Sequence, residues 1–473
     1  MSSASSMDSM RNLVVGVEEP VQLLDGTSRP YINFDNASST PFLHSVLDRI
    51  TRFAPMYANV GRGSGYKSHA SSEAFDAARA TIGEFVGASR ETHVVILGKN
   101  TTEALNKLAH CLQLHNDDVI LTSGMEHHSN ELPWRRTGEV HRIGIQEDGS
   151  LDMSHLRALL ARFGNRVRVV SVTGASNVTG HINPLGEIAE LVHATGARFA
   201  VDAAQLAPHR PIDVGKPDDP RSIDFLTYTG HKMYAPLGIG ALVALRDAIE
   251  APEPDLVGGG TVDFVTEEDV VWSQLPAREE AGTPNIVGAI GWAQAIDTLA
   301  DLGMNQVAEH ESALTAKLLS LLAKRPSIQV FGDPDPDRSS SRLGVVTISV
   351  RGASHRLAAA VLGYEGGIGV RAGLFCAHPY VQRLLDMPRD KSTQIVERFR
   401  AGIRPNVPGL LRASFGIYNT ISEVEEFVRM LDTLCNGTYR GEYLVDPDTG
   451  QLLPEGEGGW ETKAGAWSPR SCT

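Results

Sequence analysis

The chain has 473 residues, 43 basic and 57 acidic, for a formal charge of −14. At roughly 150 residues per domain this length allows about three domains, or one large α/β domain with a satellite. A chain 42% hydrophobic and 21% charged has a globular composition, which excludes general disorder. The acidic balance argues against a nucleic-acid binder, and no run of eighteen apolar residues predicts a membrane span. The N-terminus, MSSASSMDSMRN, lacks the charged-then-apolar pattern of a secretory signal. Cys111, Cys376, Cys435 and Cys472 follow neither a disulfide framework nor a zinc motif, so a reducing cytoplasm is expected.

The first 29 residues are polar and Ser-rich and read as a loose arm. Across 73–86, Phe75, Ala78, Ile82 and Phe85 recur at helical spacing, which predicts a helix with one buried face. Apolar runs at 93–97, 119–122, 167–172, 198–201, 223–228 and 239–245 predict strands, mostly separated by helical stretches. Strands that are apolar throughout and joined by helices predict an α/β domain with a mostly parallel sheet covered on both faces. Helices are expected at 286–302 and 305–322, then an exposed loop at 332–341 (GDPDPDRSSS). A strand at 345–350, helices near 357–362 and at 393–403, a strand at 411–414 and a helix at 423–434 predict a smaller α+β domain. The expected division is an N-terminal arm at 1–30, a large domain at 31–300, a small domain at 301–435 that the N-terminal segment joins, and an extension at 436–473. Trp460 and Trp467, in an otherwise polar tail, predict that this extension drapes over the body or the mouth of the site.

Four segments carry chemistry. In LGKNTTEALNKLAHCL (97–112) a strand turns through a glycine into a helix opened by Thr101 and Thr102. Free backbone N–H groups, the helix dipole and two hydroxyls there suit a phosphate, although a plain Thr N-cap has the same pattern. His127 and His128 are adjacent and so do not face the same way, which argues against a metal pair, and no metal site is expected. Asp202 ends the apolar run FAVDAAQ, at the strand end where parallel sheets bind ligands. Such a carboxylate meets a ring nitrogen or a cation, or merely caps the next helix. Lys232 closes the strand–turn TYTGHK, where burial of its ammonium is costly. A lowered pKa there suits Schiff-base chemistry; a lysine snorkelling from a strand end is the bland counterpart.

Together with INFDNASSTP (32–41), ANVGRG (58–63), GASNVTGHINP (174–184), EAGTPN (280–285), GVRAGLFCAHPY (369–380) and LRASFGIYNT (411–420), these segments resemble the class V aminotransferase family of pyridoxal-phosphate (PLP) enzymes, fold type I. Within it they look most like group II cysteine desulfurase and selenocysteine lyase, in order from Tyr31 to Leu434. The resemblance implies that Lys232 binds PLP covalently and shuttles the substrate α-proton. It implies that Asp202 pairs with the ring nitrogen, that His127 stacks on the ring, and that Asn177 and Gln205 bond its phenolic oxygen. Thr101, Thr102, Thr229 and His231 would hold the phosphate, with Thr283 supplied by a second subunit of a homodimer. Arg412 would clamp the carboxylate of a small amino-acid substrate, with Arg371 and Asn36 as further substrate contacts.

Cys376 lies five residues after Arg371, as the nucleophilic cysteine of that branch does. The implied activity is removal of sulfur from L-cysteine, or a related thiol or selenol amino acid, through a Cys376 persulfide, with release of alanine and delivery to an acceptor protein. A buried structural cysteine is the competing reading. The branch usually reads Arg-Thr-Gly-His-His-Cys, whereas this chain has Leu374 and Phe375 before Cys376, and Gly61 and Gly65 where histidines are usual. Losing imidazoles removes proton carriers near the thiol, and His378 is a partial substitute. The alternatives are another class V reaction (C–S lysis, β-elimination or transamination) and a scaffold without activity, which has no use for the Lys232–Asp202 combination.

Overall fold

The computed structural model describes residues 10–61, 63–249, 251, 253–446 and 450–455. Its centre is a seven-stranded sheet of β1 (His93–Gly98), β2 (Val119–Ser123), β3 (Glu139–Ile143), β4 (Val167–Thr173), β5 (Arg198–Asp202), β6 (Phe225–Thr229) and β7 (Gly240–Leu245). The order across the sheet is β1-β7-β6-β5-β4-β2-β3. Neighbours from β6 to β3 run parallel, and β7 alone is antiparallel to both its neighbours, β6 and β1.

The apolar runs form these strands because both faces are covered. Ile96, Phe225 and Leu242 pack with Leu105, Leu108 and Trp134 on one side; Val170, Val201 and Leu226 join the larger core on the other. The helices that do this include α1 (Tyr66–Glu84), α2 (Thr101–Cys111) and α3 (Ile286–Leu302), with α4 (Met304–Leu322) following. Six strands lie where the apolar runs predict them. The seventh, β3, went unrecognised because EVHRI is a half-exposed edge strand without an apolar run.

A second sheet is antiparallel throughout, ordered β8 (Ile328–Phe331), β9 (Val345–Val350), β11 (Leu410–Ser414), β10 (Arg371–Gly373). It is covered by α4, α5 (His355–Gly366) and α8 (Ile421–Cys435); α6 (His378–Leu384) and α7 (Arg389–Arg400) follow β10. At the centre of this cluster, fully buried Phe34 stands edge-on to Phe415 at 5.1 Å and to Phe427 at 5.6 Å. The segment 332–341 is not an open loop: Pro336–Ser341 is a turn of 3-10 helix with Ser339 buried.

The N-terminal stretch is not loose from Met10 onward. Met10 and Val14 are buried, Pro20–Gln22 pairs with Ser28–Pro30, and Arg11 reaches Glu423 at 2.8 Å and the Tyr418 carbonyl at 3.1 Å. A few deep anchors hold this segment. At the other end Tyr443–Val445 pairs with Leu452–Pro454, and this hairpin is tied to α5 through Tyr443 to Glu365 (2.9 Å) and Arg356 to the Gly450 carbonyl (2.8 Å). Trp460 and Trp467 lie outside the described residues. Among the described residues no helix is long and apolar enough to cross a membrane.

Phe34→Ala should destabilise the protein by about 3–5 kcal/mol, because the cavity it leaves is walled by two rings fixed in sheet and helix. A urea midpoint equal to that of wild type would show that the cluster collapses to fill it.

Candidate active site

The carboxyl ends of β1, β2, β4, β5 and β6 open onto one cavity of about 420 Å³. Beyond β1, Asn100 caps α2 by accepting the Glu103 N–H at 3.0 Å, and Thr101 and Thr102 stand at the first turn. Gly240 makes that position possible, since a Cβ there would lie 2.6 Å from the Asn100 carbonyl carbon. Thr102 Oγ1 is 2.6 Å from Ser129 Oγ.

Beyond β2, Glu126 is wholly enclosed. It accepts from the Ser123 hydroxyl, the Asn130 amide (2.7 Å) and the Thr173 N–H (2.9 Å). Burial pushes its pKa up to about 8, against those hydrogen bonds. His127 Nδ1 accepts the Ser129 N–H at 3.1 Å. Burial, and then the charge of Lys232, lower the His127 pKa to about 3, so its ring is neutral at physiological pH.

Asp202, at the end of β5, is raised by burial and drawn back by the Ala204 N–H (3.0 Å) and by Lys232. Gln205 donates to the Ala37 carbonyl at 2.7 Å. At the end of β6 a 3-10 turn, Gly230–Lys232, brings Lys232 to the cavity floor, enclosed by protein but open to the cavity. Burial lowers its pKa to about 8, and Asp202 opposes this. His231 falls to about 4, again mainly through burial.

The far wall is the loop after β10. Phe375 and Cys376 both have φ near +52°, a left-handed conformation that costs a non-glycine residue on the order of 1–3 kcal/mol. Their carbonyls are taken up by Asn177 Nδ2 (2.8 Å) and by the His128 N–H (2.7 Å). Phe375 is buried, its ring 5.1 Å from the Arg412 guanidinium, while Cys376 is an exposed free cysteine. Arg412 donates to Asp35 (3.0 Å), Ser38 (2.9 Å) and the Asn177 carbonyl (2.9 Å). Burial lowers its pKa while Asp35 opposes the shift.

The cavity brings together Thr101, Thr102, His127, Asn177, Asp202, Gln205, Thr229, His231, Lys232, Arg371, Cys376 and Arg412. Thr229 has already donated its hydroxyl proton to the Ile239 carbonyl at 2.9 Å. Asn177 and Gln205 have each committed one amide hydrogen and retain a second. Thr283 is exposed and lines a different cavity, beside Arg79 and Glu280. Asn36 is a correction: it is 1% exposed and absent from the cavity wall. Its amide donates to the Asn33 and Ser414 carbonyls and its oxygen accepts from Tyr418, so its polar atoms serve the junction with β11. Sequence reasoning missed Asp35, Ser38, Ser129 and Glu126; only adjacency to Asn36 and His127 marked them.

Three features suit an anionic aromatic ligand. Among the described residues Thr101 Oγ1 and Gln205 Oε1 are buried without a hydrogen-bond partner, which costs about 1–3 kcal/mol each unless a ligand pairs with them. Thr101 also sits where a helix start favours an anion. Asp202 is a buried carboxyl positioned to receive a cationic N–H.

A family model described as Aminotransferase class-V matches residues 32–427. The cysteine desulfurase of Haloferax volcanii is 35% identical over 86% of this chain and 90% of its own. A probable cysteine desulfurase of Halobacterium salinarum is also 35% identical, over 85% and 91% respectively. Among solved structures, the apo cysteine desulfurase of Thermococcus onnurineus NA1 superposes with a TM-score of 0.74 at 30% identity, covering 86% of this chain and 95% of that one. The S-sulfonic acid form of an Escherichia coli cysteine desulfurase gives 0.75 at 28%, covering 92% and 99%. The fold is the one these desulfurases share, and the α/β architecture expected of the sequence is the one observed.

In the cofactor-free protein, reductive methylation of Lys232 should rise with pH to a half-point near 8 rather than near the ordinary lysine value, because only the neutral amine reacts and burial favours it. A half-point at the ordinary lysine value would mean that the ammonium stays solvated.

Proposed function

Because the chain belongs to the class-V aminotransferase family, we propose that it is a PLP-dependent cysteine desulfurase that transfers sulfur from L-cysteine, or a related thiol or selenol amino acid, to Cys376 and releases alanine. The observation that carries this reading is the exposed thiol of Cys376 on the wall of the cavity whose floor bears Lys232 and Asp202. Bound PLP would supply an electron sink for the substrate α-carbon.

Asp202 would be the acidic partner of the cofactor's ring nitrogen, and neutral His127 would help hold the ring. The start of α2 with Thr101, Thr102 and His231 would hold the phosphate. Lys232 Nζ would anchor the cofactor and would carry the proton from the substrate α-carbon. Arg412 takes the substrate carboxylate, exchanging its bond to Asp35, with Arg371 at the exposed rim. The Cys376 thiolate attacks the substrate sulfur: the Sγ–S bond forms, the substrate C–S bond breaks, and its electron pair stays on the β-carbon, which is protonated to give alanine. The thiolate of an acceptor protein then attacks the outer sulfur of the persulfide, the Cys376 S–S bond breaks, and the Cys376 thiolate leaves with its electron pair. The active unit is a cytoplasmic homodimer in which Thr283 of each copy serves the other's cavity, which agrees with its exposure outside its own.

One observation favours a second reading. Leu374 and buried Phe375 put apolar groups in the mouth, which suits elimination or transamination of a bulkier amino acid. The deciding measurement is the organic product formed from L-cysteine by the PLP-loaded protein with a thiol reductant. Alanine is expected, and Cys376→Ala should lower its formation by about 100-fold or more, since the variant removes the nucleophile itself. Pyruvate, or turnover unaffected by Cys376→Ala, would put the second reading first.

A further inference from the structure

Cys376 lies between two short helical turns, each with an unfilled backbone donor at its start. The turn His128–Asn130 presents the His128 N–H, and α6 presents the His378 N–H, since Pro379 at the next position has none. His128 satisfies both. Its own N–H donates to the Cys376 carbonyl at 2.7 Å, and its imidazole Nε2 accepts the His378 N–H at 3.2 Å. The His378 ring packs edge-to-face on His128 with centroids 4.5 Å apart. One residue therefore grips the chain on both sides of the Cys376–Ala377 step.

Beyond that grip the loop is held by the Ala377 N–H to the Leu374 carbonyl at 2.9 Å and by the burial of Phe375. Phe375 and Cys376 are both left-handed, and apart from the His128 N–H their carbonyls have only the Asn177 amide. The imidazole must be neutral to accept at Nε2. Burial and then His378 lower the His128 pKa, against Glu131, while Arg135 adds to the lowering. Leu374 and Phe375 precede Cys376, and the imidazoles of His128 and His378 stand at the edge of the loop, in contact with each other.

We propose, on the sulfur-transfer reading above, that His128 is a positioning residue for the Cys376 thiol, acting as a two-point staple across the left-handed turn, with His378 as its packing partner. The staple fixes where the thiol stands relative to a substrate held by Arg412 and Lys232. It touches neither substrate nor cofactor.

The test uses the full-length, PLP-loaded protein as wild type, His128→Phe and His128→Gln. Phenylalanine keeps a ring against His378 but accepts no hydrogen bond, whereas the glutamine carbonyl accepts one; the backbone N–H at 128 persists in both. Deuterium exchange of the amides at 375–378 should be at least about tenfold faster in His128→Phe and within about threefold of wild type in His128→Gln. Alanine formation should fall about tenfold in kcat in His128→Phe with KM within about twofold, and recover in His128→Gln, while the cofactor absorbance stays the same in all three.

Wild-type exchange in His128→Phe overturns the staple, and faster exchange with unchanged turnover overturns its positioning role. A loss in His128→Gln equal to that in His128→Phe also overturns it, because the hydrogen bond is then not what matters. If the wild type itself releases no alanine, the sulfur-transfer reading falls, and the exchange comparison still decides whether His128 holds the loop.

Discussion

The interior placement of opposite charges at the ends of two neighbouring strands is the constraint from which the rest of the site follows. Asp202 ends β5, and Lys232 follows β6, the strand hydrogen-bonded to it. Either charge alone would be expensive to enclose; together, each moves the other's pKa against the direction that burial imposes. The arrangement needs a parallel sheet, because only there do successive strands deliver their carboxyl ends to one edge. It also needs walls thick enough to exclude water, which the apolar faces on both sides of the sheet supply.

The second sheet completes the site by holding Arg412 and the Cys376 loop against that edge. Arg412 sits on β11, whose register with β9 is continuous from Ile348 to Val345. Its guanidinium is nevertheless placed by Asp35 and Ser38 from the N-terminal segment and by the Asn177 carbonyl from the large sheet. A buried guanidinium with three kinds of acceptor has little freedom, so one side chain ties three parts of the chain together. Asn36 belongs to this junction: its hydrogen bonds to Asn33, Ser414 and Tyr418 lock the segment beside β11. Buried Phe34 anchors the same segment from below.

The loop at Cys376 is the strained part. Two consecutive left-handed residues stay folded only because donors from the large sheet's side claim their carbonyls and because Phe375 is buried against Arg412. Leu374 and buried Phe375 give this part of the mouth apolar contact.

The sequence by itself determined the sheet and most of the cavity floor. Apolar runs with helices between them leave a covered parallel sheet as the solution, and Asp202 and Lys232 stand at strand ends whatever the detailed packing. His127 and His231 were marked by the family resemblance, whereas Thr101 and Thr102, tied to such an end, are legible because a few residues of chain fix their place. Edge strand β3 and the anchored N-terminal stretch were not, because a half-exposed strand and a segment held by isolated contacts leave no period to read. Only the tertiary structure decided that Asn36 serves the junction instead of the cavity, that Asp35 and Ser38 hold Arg412, and that His128 brackets Cys376. Those contacts span up to 382 residues of chain, and side-chain hydrogen bonds over such separations depend on where two sheets come to rest, which no local pattern encodes.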